Sequence, residues 1–193
     1  RYCGEGPAVE YEFNVVTVET GGKAPVPQPR LGNVSSSCGL CGSVALTELA
    51  RRMTPIDQST TFKVGALQRV LEEVNDRQEM FNRTGGLHAA AVFGGDGAIE
   101  VIREDIGRHN AVDKVVGNRV LQSKSDSKQL GLFVSGRASF EMVQKAWAGG
   151  FGTIIAVSAP SALAVDLAKT ANMTLIGFAR QDSINVYAGD IEQ

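Results

Sequence analysis

The sequence contains few cysteines: only Cys3, Cys38 and Cys41 occur in 193 residues. An odd and small count excludes a disulfide scaffold of the kind that holds short secreted proteins together. A reducing cytoplasm is therefore the simpler setting. In that setting a Cys-x-x-Cys pair such as Cys38 and Cys41 is more often catalytic or metal-binding than structural.

The sequence also lacks a large excess of either charge and any long apolar run. Its formal net charge is -2, which gives no electrostatic argument for nucleic acid as a main partner. No apolar run approaches the roughly 20 residues of a membrane span, so no membrane partner is expected. Charges and prolines follow Arg1, which argues against a secretory leader and for a cytoplasmic location. Because the chain opens on Arg1 rather than methionine, we expect that a segment has been lost upstream.

What remains is an ordinary globular composition, with 43% hydrophobic and 21% charged residues. Alternating apolar residues predict an early strand at 11–15, and helical spacing predicts helices at 43–52 and 63–81. Apolar runs in the second half alternate with segments of helical spacing, which is typical of helices that cover a largely parallel sheet. The predicted strands are 99–103, 130–135, 153–158, 175–178 and 184–187, and the predicted helices between them are 110–121, 138–148 and 163–170. We therefore predict an α/β fold.

Polar residues gather where these predicted strands end. They occur in three segments, Arg103–Asn110, Ser135–Ser139 and Ser158–Ser161. Ligands of open α/β sheets bind beyond the carboxyl ends of the strands, and helix N-termini there favour phosphate. Ser135, Gly136 and Arg137 are therefore candidate contacts for a phosphate or a guanine-like edge, with Arg137 able to bind in bidentate fashion.

Simpler interpretations exist for several of these residues. Ser161 is more often only a helix cap, and Arg108 and His109 can equally form an exposed helix start. His88, among small apolar neighbours, is more often a core histidine than a functional one. The remaining candidates have structural interpretations too: Asp113 and Lys114 as solvated residues, Phe140, Met142 and Trp147 as core or interface residues.

Three interpretations of the pair Cys38 and Cys41 remain open from the residues alone. A zinc site would need further ligands, for which Cys3, His88 and His109 are available, but no second cysteine pair exists. A thioredoxin-like couple would open a helix within a strand-helix unit. A sulfur-carrying nucleophile would use a thiolate whose pKa is lowered by loop amides and the following helix. It would accept sulfur as a persulfide, and the neighbouring thiol would release that sulfur.

Six motifs together resemble the formate dehydrogenase accessory sulfurtransferase family, FdhD. The resemblance runs from about Val15 to Ala188, and the motifs occur in the family's order. They are SSCGLCG, RTGGLHAAAVF, REDIGRHNAVDKVVG, SGRASFEMVQKA, VSAPSALAVDLA and LIGFARQDSINVYAG.

The resemblance implies a function that spacing does not show. Members receive sulfur from a cysteine desulfurase and pass it to the molybdenum bis(guanine dinucleotide) cofactor that formate dehydrogenase needs. The resemblance places the persulfide on Cys38 and gives Cys41 a supporting role. It places cofactor binding on the segment Phe178, Ala179, Arg180, Gln181, Asp182 and Ser183. The resemblance also implies a cytoplasmic homodimer with a cytidine-deaminase-like α/β fold, in which helices cover a mixed or parallel sheet. Deamination itself is not expected, because that chemistry needs a His-x-Glu motif and a Pro-Cys-x-x-Cys motif, and this chain has neither.

These expectations divide the chain into two parts. Residues 1–37 are expected to form a strand and a flexible loop, the remnant of a truncated upstream region, and 38–193 the α/β sulfurtransferase core with its cysteine loop mobile. Asp105 or His109 is a candidate for positioning groups or moving protons. The alternative hypothesis is a non-catalytic chaperone that binds the guanine dinucleotide part of the cofactor, with the cysteines only anchoring a loop.

Overall fold

The structure is a computed structural model that describes residues 19–24, 47, 50–57, 61–123 and 129–193. The chain divides into two units, Arg1–Val34 and Ser35–Gln193. In the first, Lys23 closes a turn by donating its backbone N–H to the carbonyl of Thr20 at 3.1 Å. The early strand at 11–15, the start of the helix at 43–52 and all three cysteines lie outside the described residues; Thr47 and 50–52 are helical.

The described part of the second unit contains five bounded helices and six strands. In chain order they are α1 (Val64–Arg77), α2 (Glu79–Thr84), β1 (His88–Phe93), β2 (Ile99–Asp105), α3 (Arg108–Leu121), β3 (Gly131–Val134), α4 (Phe140–Ala148), β4 (Thr153–Ala156), α5 (Ala162–Thr170), β5 (Thr174–Gly177) and β6 (Asn185–Ala188). The predicted strands and helices of the second half are therefore present, with ends shifted by a few residues.

The six strands form one mixed sheet in the order β2-β1-β3-β4-β5-β6. Only the pairs β3/β4 and β4/β5 are parallel; β1/β2, β1/β3 and β5/β6 are antiparallel. The expected α/β fold is therefore confirmed and its sheet is mixed, whereas the expectation of a largely parallel sheet is wrong. The parallel pairs are confined to three central strands whose residues are all buried, which is why they read as continuous apolar runs.

Helices cover both faces of the sheet. On one face, α3, α4 and α5 pack against strand residues such as Leu132 and Ile154. On the other face, α1 packs Leu67 and Val70 against residues such as Phe133. The alternation of Leu132 and Phe133 between the two cores follows from the two-residue period of a strand. Among the described residues, no helix is long and apolar enough to cross a membrane.

Two buried aromatic rings show how tightly the sheet and one of its covering helices are packed. Phe93 in β1 lies opposite Gly131 in β3, and a Cβ on Gly131 would come within 2.0 Å of the Phe93 ring. Only glycine fits there, because the ring occupies the space of a side chain. Trp147 is buried in α4, as its core interpretation predicted, and its indole N–H donates to the carbonyl of Thr54 at 2.8 Å.

The helix predicted over 63–81 is interrupted. It ends at Arg77, and α2 begins at Glu79 after Gln78, whose φ of -83° and ψ of 67° are not helical. The carboxylate of Glu104, at the end of β2, accepts the backbone N–H groups of Met80 and Phe81 at 2.9 and 2.8 Å. A partner distant in sequence thus caps a second helix start, which local periodicity does not reveal.

Candidate functional site

A cavity of about 970 Å³ opens at the edge of the sheet where β3, β4 and β5 end. Because β1 runs antiparallel to β3, its first residue lies at this same edge. Helices α1 and α2 supply the facing wall, so the cavity lies on the α1 face of the sheet. Its lining residues are Leu71, Val74, Asn75, Gln78, Phe81, Gly85, Gly86, Leu87, His88, Phe133, Ser135, Val157, Ala179, Arg180, Gln181 and Asp182.

The chemistry of this lining suits a ligand with an apolar part and several polar groups. Leu71, Val74, Phe81 and Phe133 give it an apolar wall, while amide, hydroxyl, imidazole and charged groups lie elsewhere in the lining. A volume in the hundreds of cubic ångströms is the size at which proteins bind drug-sized or nucleotide-sized molecules.

Ser135 and His88 meet where β3 ends and β1 begins. The Ser135 hydroxyl accepts the N–H of Ala89 at 2.8 Å, and its Oγ lies 3.4 Å from Nδ1 of His88. The backbone N–H of Ser135 donates to the carbonyl of Ala89 at 2.9 Å. His88 is half-buried in the lining of the cavity, so its interpretation as only a core residue is incomplete.

The segment after β5 is folded back onto the end of β4. The N–H of Ala179 donates to the carbonyl of Ala156 at 3.1 Å, and Nη1 of Arg180 donates to the carbonyls of Val157 and Ala179. Phe178, which precedes this fold, has a φ of 49°, in the left-handed region. One nitrogen of the Arg180 guanidinium therefore holds the loop in place rather than reaching a ligand.

The same segment also contacts α1. The carbonyl of Gln181 accepts a hydrogen bond of 3.0 Å from Nε2 of Gln68. Arg180 and Ser183 exchange backbone hydrogen bonds of 2.7 and 3.3 Å, which closes a tight turn around Gln181 and Asp182. The turn places these two residues at the cavity between α1 and the sheet edge.

The structure brings together most, but not all, of the predicted binding residues that it describes. Ser135, Ala179, Arg180, Gln181 and Asp182 line the cavity. Gly136 lies beside it: a Cβ there would come 3.6 Å from Nδ1 and Cε1 of His88. Three predicted residues are not in the lining, all of them exposed: Arg137, Phe178 and Ser183. The predicted catalytic residues, Cys38 and Cys41, fall outside the described residues.

Asp105, at the end of β2, is opposite His88 in the sheet register but is engaged elsewhere. Its carboxylate forms an ion pair of 2.7 Å with Lys114 and accepts hydrogen bonds from Gly107 and Asn110 at 2.8 and 3.1 Å. Lys114 foremost, then the Gly107 amide, lower the pKa of Asp105 to about 2. A carboxylate ionised down to that pH does not carry protons near neutrality, which argues against a proton-transfer role.

His109 and the other charged residues of α3 have their own environments. Burial foremost, and then the neighbouring Arg108 guanidinium, lower the pKa of His109, so its neutral form is favoured. Lys114 and Asp113 are exposed yet ion-paired, Asp113 with Lys145 of α4. Ser161 is the N-cap of α5 and accepts the N–H of Ala164 at 3.2 Å, which confirms its interpretation as a cap.

Several cavity residues had no signal in the sequence. Asn75 and Gln78 lie at the end of α1 and beyond it, and read as solvated positions of an amphipathic helix. Asn75 reaches the cavity from α1 itself, whereas Gln78 and Phe81 line it at and after the helix break. Within the part of the chain that the structure describes, no three His, Cys, Asp or Glu residues form a group that could hold a metal ion.

Comparison with solved structures defines the class of protein first. The crystal structure of a protein from Desulfotalea psychrophila, described as a formate dehydrogenase accessory protein, superposes with a TM-score of 0.65 at 28% identity. The match covers 72% of this chain and 59% of that chain, so this chain spans less than two thirds of the solved protein. The mixed sheet with helices on both faces is thus an architecture that this chain shares with that solved protein.

Sequence comparison then gives the family. The model of the FdhD/NarQ family matches residues 7–192, and the chain belongs to that family. The sulfur carrier protein FdhD of Mycolicibacterium paratuberculosis is 43% identical over 188 residues, covering 96% of this chain and 69% of the relative. The sulfur carrier protein FdhD of Mycobacterium tuberculosis is 45% identical over 195 residues, covering 96% of this chain and 71% of the relative. The resemblance on which the sequence predictions rest is therefore confirmed.

Proposed function

We propose that the chain is a sulfurtransferase. It takes sulfur from a cysteine desulfurase as a persulfide on Cys38 and passes it to the molybdenum bis(guanine dinucleotide) cofactor required by formate dehydrogenase. The observation that carries the proposal is the match of nearly the whole chain to relatives named sulfur carrier proteins. The Cys-x-x-Cys pair of this sequence is the group in the chain best suited to hold sulfur.

The sulfur step balances with the two cysteines and a thiol reductant. The Cys38 thiolate attacks the terminal sulfur of the desulfurase persulfide, so the desulfurase leaves as a thiolate and Cys38 becomes a persulfide. The Cys41 thiolate then attacks the Cys38 sulfur, which forms a disulfide and expels hydrosulfide, carrying the bond's electron pair, toward the substrate cofactor. A cytoplasmic dithiol reduces the disulfide and restores both thiols.

The cavity at the sheet edge is proposed to hold the nucleotide part of that substrate. The apolar wall formed by Leu71, Val74 and Phe81 suits a planar base, and the polar groups after the strand ends suit phosphate. Ser135, Gly136 and Arg137 are the candidate contacts on one side, and the segment from Phe178 to Ser183 is the candidate on the other. Because one Arg180 nitrogen is occupied by backbone carbonyls, its remaining N–H groups are the ones available to a ligand.

The experiment loads the purified chain with a cysteine desulfurase and sulfur-labelled cysteine, then maps the label by mass spectrometry. We expect the label on Cys38 in the wild-type protein and in Cys41→Ala, and no label in Cys38→Ala. The Cys3→Ala variant is the matched control and should load normally. Label on another residue, or label kept by Cys38→Ala, would contradict the persulfide assignment.

A cofactor chaperone without sulfur chemistry makes a different prediction. In that case Cys38→Ala would leave both guanine-nucleotide binding and formate dehydrogenase maturation intact.

The sulfurtransferase proposal involves three partners: a cysteine desulfurase as donor, formate dehydrogenase as the protein served, and a second copy of this chain in a cytoplasmic homodimer. Light scattering of the purified chain measures the last of these directly, and a monomer at working concentration would contradict it.

A further inference from the structure

Both hydrogen-bond contacts of the Ser135 hydroxyl are with the protein, and its one O–H donor lies beside His88. Its Oγ accepts the Ala89 N–H at 2.8 Å, which fixes the hydroxyl at the end of β3. The hydroxyl has a single proton, and the imidazole nitrogen of His88 lies 3.4 Å away. Donation of that proton to Nδ1 satisfies both side chains at once.

The contact fits either tautomer of His88, and the two differ in whether Nε2 presents a hydrogen to the cavity. When Nδ1 accepts from Ser135, the neutral imidazole carries its hydrogen on Nε2. The ring also packs against Gly136, where a Cβ would lie at ordinary contact distance from Nδ1 and Cε1. His88 is therefore held by a neighbouring strand end while it lines the cavity.

A cationic side chain, that of Arg108, lies against the same glycine. A Cβ on Gly136 would come within 3.5 Å of Cδ of Arg108, whose buried Nε has no hydrogen-bond partner among the described residues. Arg108 and His88 thus flank one glycine at the edge of the sheet.

The carboxylate opposite His88 in the sheet register, Asp105, is engaged by Lys114. Arg108 therefore places a positive charge beside His88, which favours an anionic group at that position. Asp182, the carboxylate in the cavity lining, belongs to the turn after β5.

We propose that His88 binds a phosphate group of the nucleotide in the cavity by donating its Nε2–H, and that Ser135 acts through His88 as a positioning residue. The inference rests on the proposed function, which supplies the nucleotide, and it assigns Ser135 an indirect role. His88 becomes the phosphate contact that strand-end reasoning attributed to the serine.

The test uses two variants, each of which keeps a polar group at the position of one imidazole nitrogen. His88→Asn places its amide near the position of Nδ1, so it keeps the contact with Ser135 and loses the group at Nε2. His88→Gln reaches the position of Nε2 and keeps a donor there. Binding of guanosine diphosphate and of guanosine to the full chain is measured by titration calorimetry. Because guanosine has no phosphate, it separates a phosphate contact from general damage to the cavity.

We expect His88→Asn to weaken guanosine diphosphate binding about tenfold, the usual effect of losing a hydrogen bond to a charged group, and to leave guanosine binding unchanged. His88→Gln should stay within about threefold of wild type, and Ser135→Ala should lose part of the phosphate-dependent affinity. In long-range proton-nitrogen spectra, wild-type His88 should be the Nε2–H tautomer, and Ser135→Ala should show a mixture.

Each other result has a definite meaning. Equal losses for both ligands in His88→Asn would show a structural role and overturn the proposal. So would unchanged guanosine diphosphate binding, or an Nδ1–H tautomer in the wild type. If the wild-type chain binds neither ligand, the nucleotide assignment of the proposed function fails, and the role of His88 fails with it. Wild-type binding with an unaffected His88→Asn variant would reject His88 alone.

Discussion

Glu104 holds one wall of the cavity, and we predict that Glu104→Ala destabilises this wall more than Glu104→Gln does. Its two carboxylate oxygens accept the N–H groups of Met80 and Phe81 at 2.9 and 2.8 Å, at the start of α2. Phe81 lines the cavity. The carboxylate also lies at the positive end of a helix, which favours a negative charge. Loss of Glu104 should therefore loosen α2 and the cavity wall together.

The magnitude follows from the two hydrogen bonds. A hydrogen bond to a charged group contributes about 1.5–3 kcal/mol when shielded from water. Met80 and Phe81 are 45% and 40% exposed, so water replaces much of what Glu104→Ala removes, and we expect a loss of about 1–2 kcal/mol of local stability. That corresponds to about tenfold faster hydrogen exchange at the Met80 and Phe81 amides, and about threefold for Glu104→Gln, which keeps one acceptor oxygen.

The assay is hydrogen exchange resolved to single amides, with nucleotide affinity measured on the same samples. Glu72→Ala, an exposed glutamate on α1, is the matched control and should change stability by less than about 0.5 kcal/mol. If the two amides exchange at wild-type rates in Glu104→Ala, the carboxylate does not hold α2. The physical reason given for the helix break would then be wrong.

Two further substitutions test other parts of the site. Arg180→Lys replaces a planar fork by a point charge and should weaken the clamp on the carbonyls of Val157 and Ala179. We expect thermal denaturation to show a loss of about 1 kcal/mol and nucleotide affinity to fall about fivefold; wild-type values for both would contradict the clamp. Asp105, whose pKa is lowered to about 2, stabilises the fold above its ordinary value of 3.8, and this contribution disappears as the pH falls through about 2. Asp105→Asn should therefore cost about 1 kcal/mol in urea denaturation at pH 7, after discounting for the half-exposed Lys114, and the difference should vanish in strong acid; a constant difference at all pH values would refute the ion-pair explanation.

The central strands could be predicted from the sequence because burial on both faces leaves a continuous apolar run. β3, β4 and β5 have that pattern, and all their residues are buried. β1 was not predicted, although its last five residues are buried. Its His88-Ala-Ala-Ala start carries little intrinsic strand preference, and the strand forms because two neighbours pair with it. Its antiparallel pairing, together with that of β5 and β6, is also what makes the sheet mixed.

Some residues of the candidate site could likewise be predicted from the sequence, and others could not. Ser135 could be found because a polar residue at the end of an apolar strand is visible in the sequence, and the segment 178–183 because its motif resembles a family. His88 and Gln78 could not be assigned, since His88 reaches the cavity through β1 pairing and Gln78 lies at the helix break that precedes the α2 cap provided by Glu104. Asn75 could not be assigned because it is an exposed polar residue of an amphipathic helix. The periodicity of a local segment cannot predict contacts between residues that are distant in sequence.

The central claim is that sulfur reaches formate dehydrogenase through Cys38, and complementation of a strain lacking its own sulfur carrier tests it most directly. The wild-type chain should restore formate dehydrogenase activity and sulfur bound to the molybdenum of the purified enzyme. Cys38→Ala should restore neither, while it keeps wild-type thermal stability and guanosine diphosphate affinity. Full activity with Cys38→Ala would contradict the account.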